Sequence, residues 1–363
     1  MQTAIPSTLM RGGTSKGLYF HANDLPSEKA ERDAILLAAM GSPDPRQIDG
    51  IGGAHPLTSK IAVLSKSASD ETDIDYLFLQ VSVDTATVSA AQNCGNILAG
   101  VGPWAVQEGL VPVQGDRTTV RIRMLNSDGI AFATFATPDG EVQYAGNATI
   151  DGVPGTAAPI SIDFRGTAGA TCGSLFPTGN RKDEVQGLEV TCIDNGMPVI
   201  LLRAEDLGLT GEESPQDLEA NPDLKTVIEC IRLALGPEMG LGDVREKTVP
   251  KMSIISPPQK GGFVSTRTFI PHRVHQAVGV LGAVSVATAC LVEGTIADAL
   301  ELRPSETADG VLNVEHPTGA FQVEIELDDH GDDVIVRRSA LMRTARRLMK
   351  GDIFVPTDLG ARS

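Results

Sequence analysis

Residues 91–106, AQNCGNILAGVGPWAV, carry no charged side chain and place Cys94 directly before the glycine at which a helix would begin. A helix that is small or apolar on every side has no face to give to water, so protein must surround it. A second stretch of the same kind, AVGVLGAVSVATACLV at residues 277–292, lies in the other half of the chain. Each follows strand-like sequence and a Gly-Gly pair. Together they predict an α+β protein of two similar β-barrel-like units, each a curled sheet wrapped around one central helix.

The sequence around these two stretches supplies the sheets. DYLFLQVSVD (75–84), TVRIRML (119–125) and FQVEIEL (321–327) alternate with period two, the signature of half-buried strands. Amphipathic helices are fewer. In NPDLKTVIECIRLALG (221–236), Asn221 can cap, Pro222 suits the first turn, Leu224, Val227, Ile228, Ile231 and Leu235 share a face, and Gly236 ends the run. SEKAERDAILLAAMG (27–41) reads likewise. The turn-rich LFPTGNRKDEVQG (175–187) marks a boundary, giving expected domains 1–184 and 185–363, with the C-terminal end free to cross back to the first. No sequence repeat proves a duplication.

Composition narrows the function. The chain has 363 residues, 41% hydrophobic but only 4% aromatic, with 38 glycines and a formal charge of −17. Length favours two domains. The negative field argues against sequence-independent nucleic-acid binding and against anionic membranes, so cations that hold an anionic ligand must be local. The N-terminal residues lack a secretory pattern and the apolar run 277–292 is too short to span a bilayer, so a cytoplasmic location is expected. Five scattered cysteines, Cys94, Cys172, Cys192, Cys230 and Cys290, without CxxC spacing, suggest neither zinc nor a disulfide scaffold.

Four stretches carry reactive or charged groups. Cys94, flanked by Asn93, Gly95 and Asn96, sits where unpaired backbone N–H groups and the helix dipole favour a thiolate; equally, a cysteine in such a stretch reads as a buried structural residue. MRGGTSKG (10–17) brings Arg11, Gly12, Gly13, Thr14, Ser15 and Lys16 together. It reads either as an anion cradle or as a tight turn between strands, and it lacks the phosphate-loop spacing. DGIGGAHPLTSKIAVL (49–64) places Ser59 and Lys60 before an apolar strand. A lysine there is either a solvated charge or, facing a cleft, a proton carrier. KGGFVSTRTFIPHRVH (260–275) gathers Arg267, His272, Arg273 and His275 ahead of the second apolar helix, as a hydrated loop or as a carboxylate site. The absence of HExxH and G-x-G-x-x-G removes the usual support for zincin and dinucleotide readings. Proton transfer on a small acid, without cofactor or metal, remains.

These motifs also resemble a known family. MRGGTSKG, IDGIGG with LTSK, QNCGNILAGVGP, IDGVPGTAAP, PTGN, VTCIDNGMPV and FIPHRVH, in order over nearly the whole chain, resemble the PrpF family of isomerases. The resemblance implies the diaminopimelate-epimerase-like fold with its active site in the interdomain cleft. It implies Lys60 and Cys94 as the proton-transfer pair, with Ser15 in the first glycine loop. It further implies an unsaturated tricarboxylate substrate of the 4-oxalomesaconate type, from the breakdown of gallate-like aromatics; 2-methylaconitate or another tricarboxylate is the alternative. Diaminopimelate epimerases use a cysteine at the head of each central helix, but the stretch near Gly279 has none and Cys290 lies deeper, which counts against a two-thiol racemase. A non-catalytic carboxylate-binding protein is the rival from another class. The expected partner is a small polycarboxylate, with a homodimer compatible with the sequence.

Overall fold

The computed structural model describes residues 1–90, 94–127, 129–302, 311–331 and 333–358. Asn93, one of the expected substrate-binding residues, lies outside them. Contacts divide the chain into two units, Met1–Asp163 with Met342–Ser363, and Phe164–Leu341. The 175–187 segment, where the sequence set the change of domain, thus falls inside the second unit, and residues 342–363 belong to the first. Backbone pairing is the reason for the return. The C-terminal strand Ala345–Pro356 runs antiparallel to the first strand from Gln2↔Pro356 to Gly12↔Ala345, a long-range ladder that no turn signal announces.

In the first unit, β1 (Gln2–Gly12), β2 (Ser15–His21), β3 (Lys60–Lys66), β4 (Ile74–Val81), β5 (Val88–Ser89), β6 (Arg117–Met124), β7 (Gly129–Ala136) and β8 (Ile160–Phe164) are joined by helices α1 (Lys29–Met40) and α2 (Gly95–Gln107). Along β1-β2-β3-β4-β6-β7 the pairings run antiparallel, parallel, antiparallel, parallel, antiparallel. Helix α2 touches β1, β2, β3, β4, β6, β7 and the C-terminal strand, and its residues 97–105 are all buried, as a helix without a polar face requires. Its glycines make the enclosure close. A Cβ on Gly100 would lie 2.4 Å from the Tyr19 hydroxyl, and one on Gly102 2.7 Å from the Phe135 ring.

The second unit contains β9 (Asp183–Val185), β10 (Leu188–Asp194), β11 (Pro198–Arg203), β12 (Lys251–Ser256), β13 (Val264–Phe269), β14 (Val311–His316), β15 (Gly319–Asp329) and β16 (Val334–Arg343), with α3 (Pro215–Glu219), α4 (Pro222–Glu238) and α5 (Val280–Leu291). Along β10-β11-β12-β13-β14-β15 the pairings repeat the first unit's order of directions. The helices also fall at matching places: α1 and α4 cross over the first parallel pair, α2 and α5 the second. This is the duplication that the sequence suggested without proving. Helix α5 is buried from Gly282 to Ala289 and touches β10, β11, β14 and β15.

The amphipathic helices form where expected. Asn221 caps α4 by accepting from Leu224 N at 3.0 Å, and Gly41 ends α1 at φ 78°, a left-handed cap that suits glycine. Helix α4 continues through Gly236 to Glu238, because its apolar face still packs at Leu235 and Gly236. Among the described residues no helix is long and apolar enough to cross a membrane.

Candidate active site

Strand β3 opens on Lys60, and register decides what that lysine meets. Lys60 stands opposite Gln80 of β4. Opposed residues share a sheet face, as do residues two apart along a strand, so Lys60, Gln80, Phe78 and Tyr76 all look to one side. The Lys60 ammonium donates to Gln80 Oε1 at 2.8 Å and lies 5.0 Å from the centre of the Phe78 ring, within cation–π range. Gln80 is itself held, its Nε2 donating to the carbonyls of Pro56, Ser59 and Val81 at 3.0, 3.1 and 3.2 Å. Lys60 is only 6% exposed, which rules out a solvated surface charge.

The same face leads to the cysteine. Tyr76 donates its hydroxyl to Cys94 O at 3.3 Å, and Tyr19 donates to Ile97 O at 2.5 Å, so two buried phenols fasten the first turn of α2. Burial first, and the Cys94 side chain second, push both phenols well above their ordinary pKa, which keeps them neutral donors. Cys94 is the N-cap of α2, at φ −132° and ψ 98°, and its side chain makes no capping hydrogen bond. The sulfur is buried, next to the unpaired N–H groups and the positive end of the helix.

A further cation belongs to this environment. Arg343, 6% exposed, has its guanidinium lowered to about 10 by burial, while interaction with Cys94 acts in the opposite direction. Sequence reasoning missed Arg343 because a position some 250 residues away in sequence becomes a neighbour only through the C-terminal return. It also missed Gln80, Phe78 and Tyr76. The signal for these was present: in the alternating 75–84 segment they share one face, and a glutamine there interrupts an otherwise aromatic row.

The glycine loop divides between two faces. Gly12 pairs with Ser15 across a turn formed by Gly13 and Thr14, with Gly13 at φ 51° and its N–H on Thr344 O at 2.8 Å. A Cβ on Gly12 would lie 2.4 Å from Asn96 O, and one on Gly13 2.1 Å from Asn96 Oδ1. The two glycines therefore let the hairpin lie against the head of α2, and Asn96 Nδ2 locks it by donating to Thr14 Oγ1 at 3.1 Å. Ser15, sharing the face of Gly12, is 2% exposed, and neither its hydroxyl nor Asn96 Oδ1 has a hydrogen-bond partner among the described residues. Buried polar atoms left this way cost stability unless a ligand completes them.

Some expected ligand residues are placed elsewhere. Arg11 and Lys16 oppose each other on the face away from Ser15. Arg11 Nη1 donates to Gly13 O, Thr344 O and Thr344 Oγ1 at 2.9, 3.1 and 2.9 Å. Ser59 is fully buried and its hydroxyl donates to Gln47 Oε1 at 2.8 Å and His55 O at 2.9 Å, so it braces the approach to Lys60.

In the second unit, the residues of the 260–275 cluster each have protein partners. Arg267 Nε donates to Glu213 O at 2.8 Å and Nη1 to Thr266 O at 2.9 Å; burial lowers its pKa. Exposed His272 sits 3.8 Å from Glu229, and Arg273 3.2 Å from Glu219. His275 Nδ1 accepts from Ala277 N at 2.9 Å just ahead of α5, and burial, then the charge of Lys251, lower its pKa. Glutamates on α3, α4 and the preceding loop thus partner Arg273, His272 and, through a backbone carbonyl, Arg267. Cys290 is inside α5, its thiol pushed up by burial, and the N-cap of α5 is Gly279.

Two units with matching strand order, each closed on an apolar helix, and a lysine and a helix-capping cysteine in the first, define a protein of the diaminopimelate-epimerase-like class. Within that class the chain belongs to the PrpF family, described as PrpF protein, which matches residues 2–356. It is 59% identical over 350 residues to a (4E)-oxalomesaconate Delta-isomerase of a Novosphingobium species, covering 96% of this chain and 97% of that one. It is 57% identical over 360 residues to a 4-oxalomesaconate tautomerase of Pseudomonas putida, covering 98% of each. A crystal structure of methylitaconate-delta-isomerase is 34% identical and superimposes with a TM-score of 0.89, covering 100% of this chain and 98% of that one.

Proposed function

We propose that this chain is an isomerase that moves a carbon–carbon double bond in 4-oxalomesaconate by proton transfer, with Lys60 and Cys94 as the working pair. The observation that carries the reading is the shared face of β4, which holds the lysine's partners, Phe78 and Gln80, and the tyrosine bound to the cysteine's carbonyl. The high identity to enzymes named for that substrate supports it. One member of the pair removes a proton acidified by a neighbouring carbonyl, leaving a dienolate-like anion. The other returns a proton to the vinylogous carbon. No electrons are gained or lost, so the step calls for no redox cofactor.

The developing oxyanion and the carboxylates need donors that are already in place, because donors that must reorganise contribute less. The N–H groups at the head of α2, the Ser15 hydroxyl and the Arg343 guanidinium supply them in the first unit. A cytoplasmic enzyme of gallate-type aromatic breakdown is the setting this reaction suggests.

Proton NMR in D₂O on freshly made 4-oxalomesaconate tests the proposal with wild type, Lys60→Ala and Cys94→Ala. Fast relocation of the double bond with deuterium uptake, lost in both variants, is the expected result. Intact turnover in either variant overturns the pair. No acceleration by wild type overturns the substrate, and the same assay on 2-methylaconitate then separates another tricarboxylate isomerase from a non-catalytic binder.

A further inference from the structure

The split of the glycine loop leaves charges that the proposed reaction does not use. Arg11 stands opposite Lys16 on β2 and opposite Arg346 on the C-terminal strand, so three cations form a row across neighbouring strands on one face. Like charges directly opposed in a sheet repel, and this row occurs in a chain of net charge −17, where acids to neutralise it are plentiful. Among the described residues none of the three makes an ion pair with an acid. Arg11 spends only Nη1 on protein acceptors, leaving Nη2 and Nε without one among the described residues. Burial lowers its pKa and the charge of Arg346 lowers it further, the mark of an uncompensated pair.

A cleft of about 310 Å³ opens on the two arginines of this row, lined by Arg11, Arg346, Thr344, Thr156 and Tyr144 among others, with no acid in its lining among the described residues. Its far wall is the segment that carries IDGVPGTAAP, a motif to which the proton-transfer chemistry assigns no task. That wall is built, not loose. Ala148 and Ala157 exchange two backbone hydrogen bonds at 3.0 Å, Ala158 N donates to Tyr144 O at 2.9 Å, and a Cβ on Gly146 would lie 2.6 Å from Ala158 Cα. The one acid of the motif, Asp151, is exposed and outside the lining.

We propose that this cleft is a second anion site of the first unit, taking a small multivalent oxyanion, a di- or tricarboxylate or phosphate, on the Arg11 and Arg346 guanidiniums. Two guanidiniums on adjacent strands present paired N–H donors, which suits two carboxylates on one small molecule or the several oxygens of phosphate. Neither Lys60 nor Cys94 lines it, so its occupancy is separable from catalysis.

Calorimetric titration at constant ionic strength tests the site, with tricarballylate and inorganic phosphate as probes and with wild type, Arg346→Gln, Arg346→Lys and Lys60→Ala as proteins. Arg346 is exposed, so its replacement leaves the fold intact. The expected result is binding of one probe by wild type and by Lys60→Ala, weakened about tenfold or more by Arg346→Gln, the loss of one charge-assisted contact, and partly restored in Arg346→Lys. The probe that binds tighter identifies the source of the anion. Binding of neither probe overturns the proposal. So does binding that Lys60→Ala abolishes and Arg346→Gln leaves unchanged.

Discussion

Gly12→Ala tests whether the hairpin positions the cysteine. The added Cβ would lie 2.4 Å from Asn96 O, a backbone atom in the first turn of α2, and real Cβ contacts begin near 3.0 Å and become ordinary at 3.4 Å. The head of α2 must therefore retreat by roughly 0.6–1.0 Å, the difference between those distances and 2.4 Å. It cannot do so freely, since Tyr76 and Tyr19 hold the carbonyls of Cys94 and Ile97. Overpacking of this kind costs about 1–3 kcal/mol of stability. A displacement of about 1 Å at a reacting group costs on the order of 10²-fold in rate. The expected outcome is a folded protein with a lower urea midpoint and kcat reduced about a hundredfold. Gly109→Ala is the control, because Gly109 lies beyond the other end of α2, at φ 72° with nothing within 4 Å of its Cβ. Its backbone strain of about 1–2 kcal/mol should lower stability and leave kcat alone. Wild-type kcat in Gly12→Ala, or equal losses of kcat in the two variants, would refute the reasoning.

Three other expectations follow from the same geometry. Gln80→Leu removes the acceptor of a buried ammonium, worth about 1.5–3 kcal/mol, so kcat/KM should fall about ten- to a hundredfold, with an unchanged value sinking the role of Gln80. Ser15→Ala deletes a buried hydroxyl that has no protein partner among the described residues. It should raise KM or lower kcat in the NMR assay with no loss of thermal stability, and a destabilised but fully active variant would show the hydroxyl to be structural. His275 titrates below its ordinary 6.5 because of burial and then Lys251, so below pH 6.5 the unfolded chain binds a proton that the folded one resists. Stability is thus present above 6.5 and lost as pH falls through the lowered value. His275→Gln should flatten the fall of the urea midpoint below pH 6.5, and an unaltered slope would contradict this.

Local order was readable from residue patterns because it depends on near neighbours. The two apolar helices, the period-two strands, the Asn221 cap and the start of α2 after Cys94 all follow from spacing over a few residues. Lys60 and Cys94 stood out because their flanking glycines and small residues permit close approach, and the tight packing of Gly12 and Gly13 against Asn96 is the structural counterpart of that pattern.

What the sequence could not determine is which face of a strand each group takes and which distant segment lies beside it. One residue of register separates Ser15, at the helix head, from Lys16, on the opposite face beside Arg11. Arg267, His272 and Arg273 are close in sequence, but each meets a different glutamate from another element: Arg267 the Glu213 carbonyl, His272 the Glu229 carboxylate and Arg273 the Glu219 carboxylate. Arg346 enters the first unit because the last strand pairs with the first, and Arg343 lies just ahead of that strand. Periodicity determined the elements of this protein by itself, since it records burial along one segment; the composition of its sites was decided by long-range backbone pairing, whose partners no local pattern specifies.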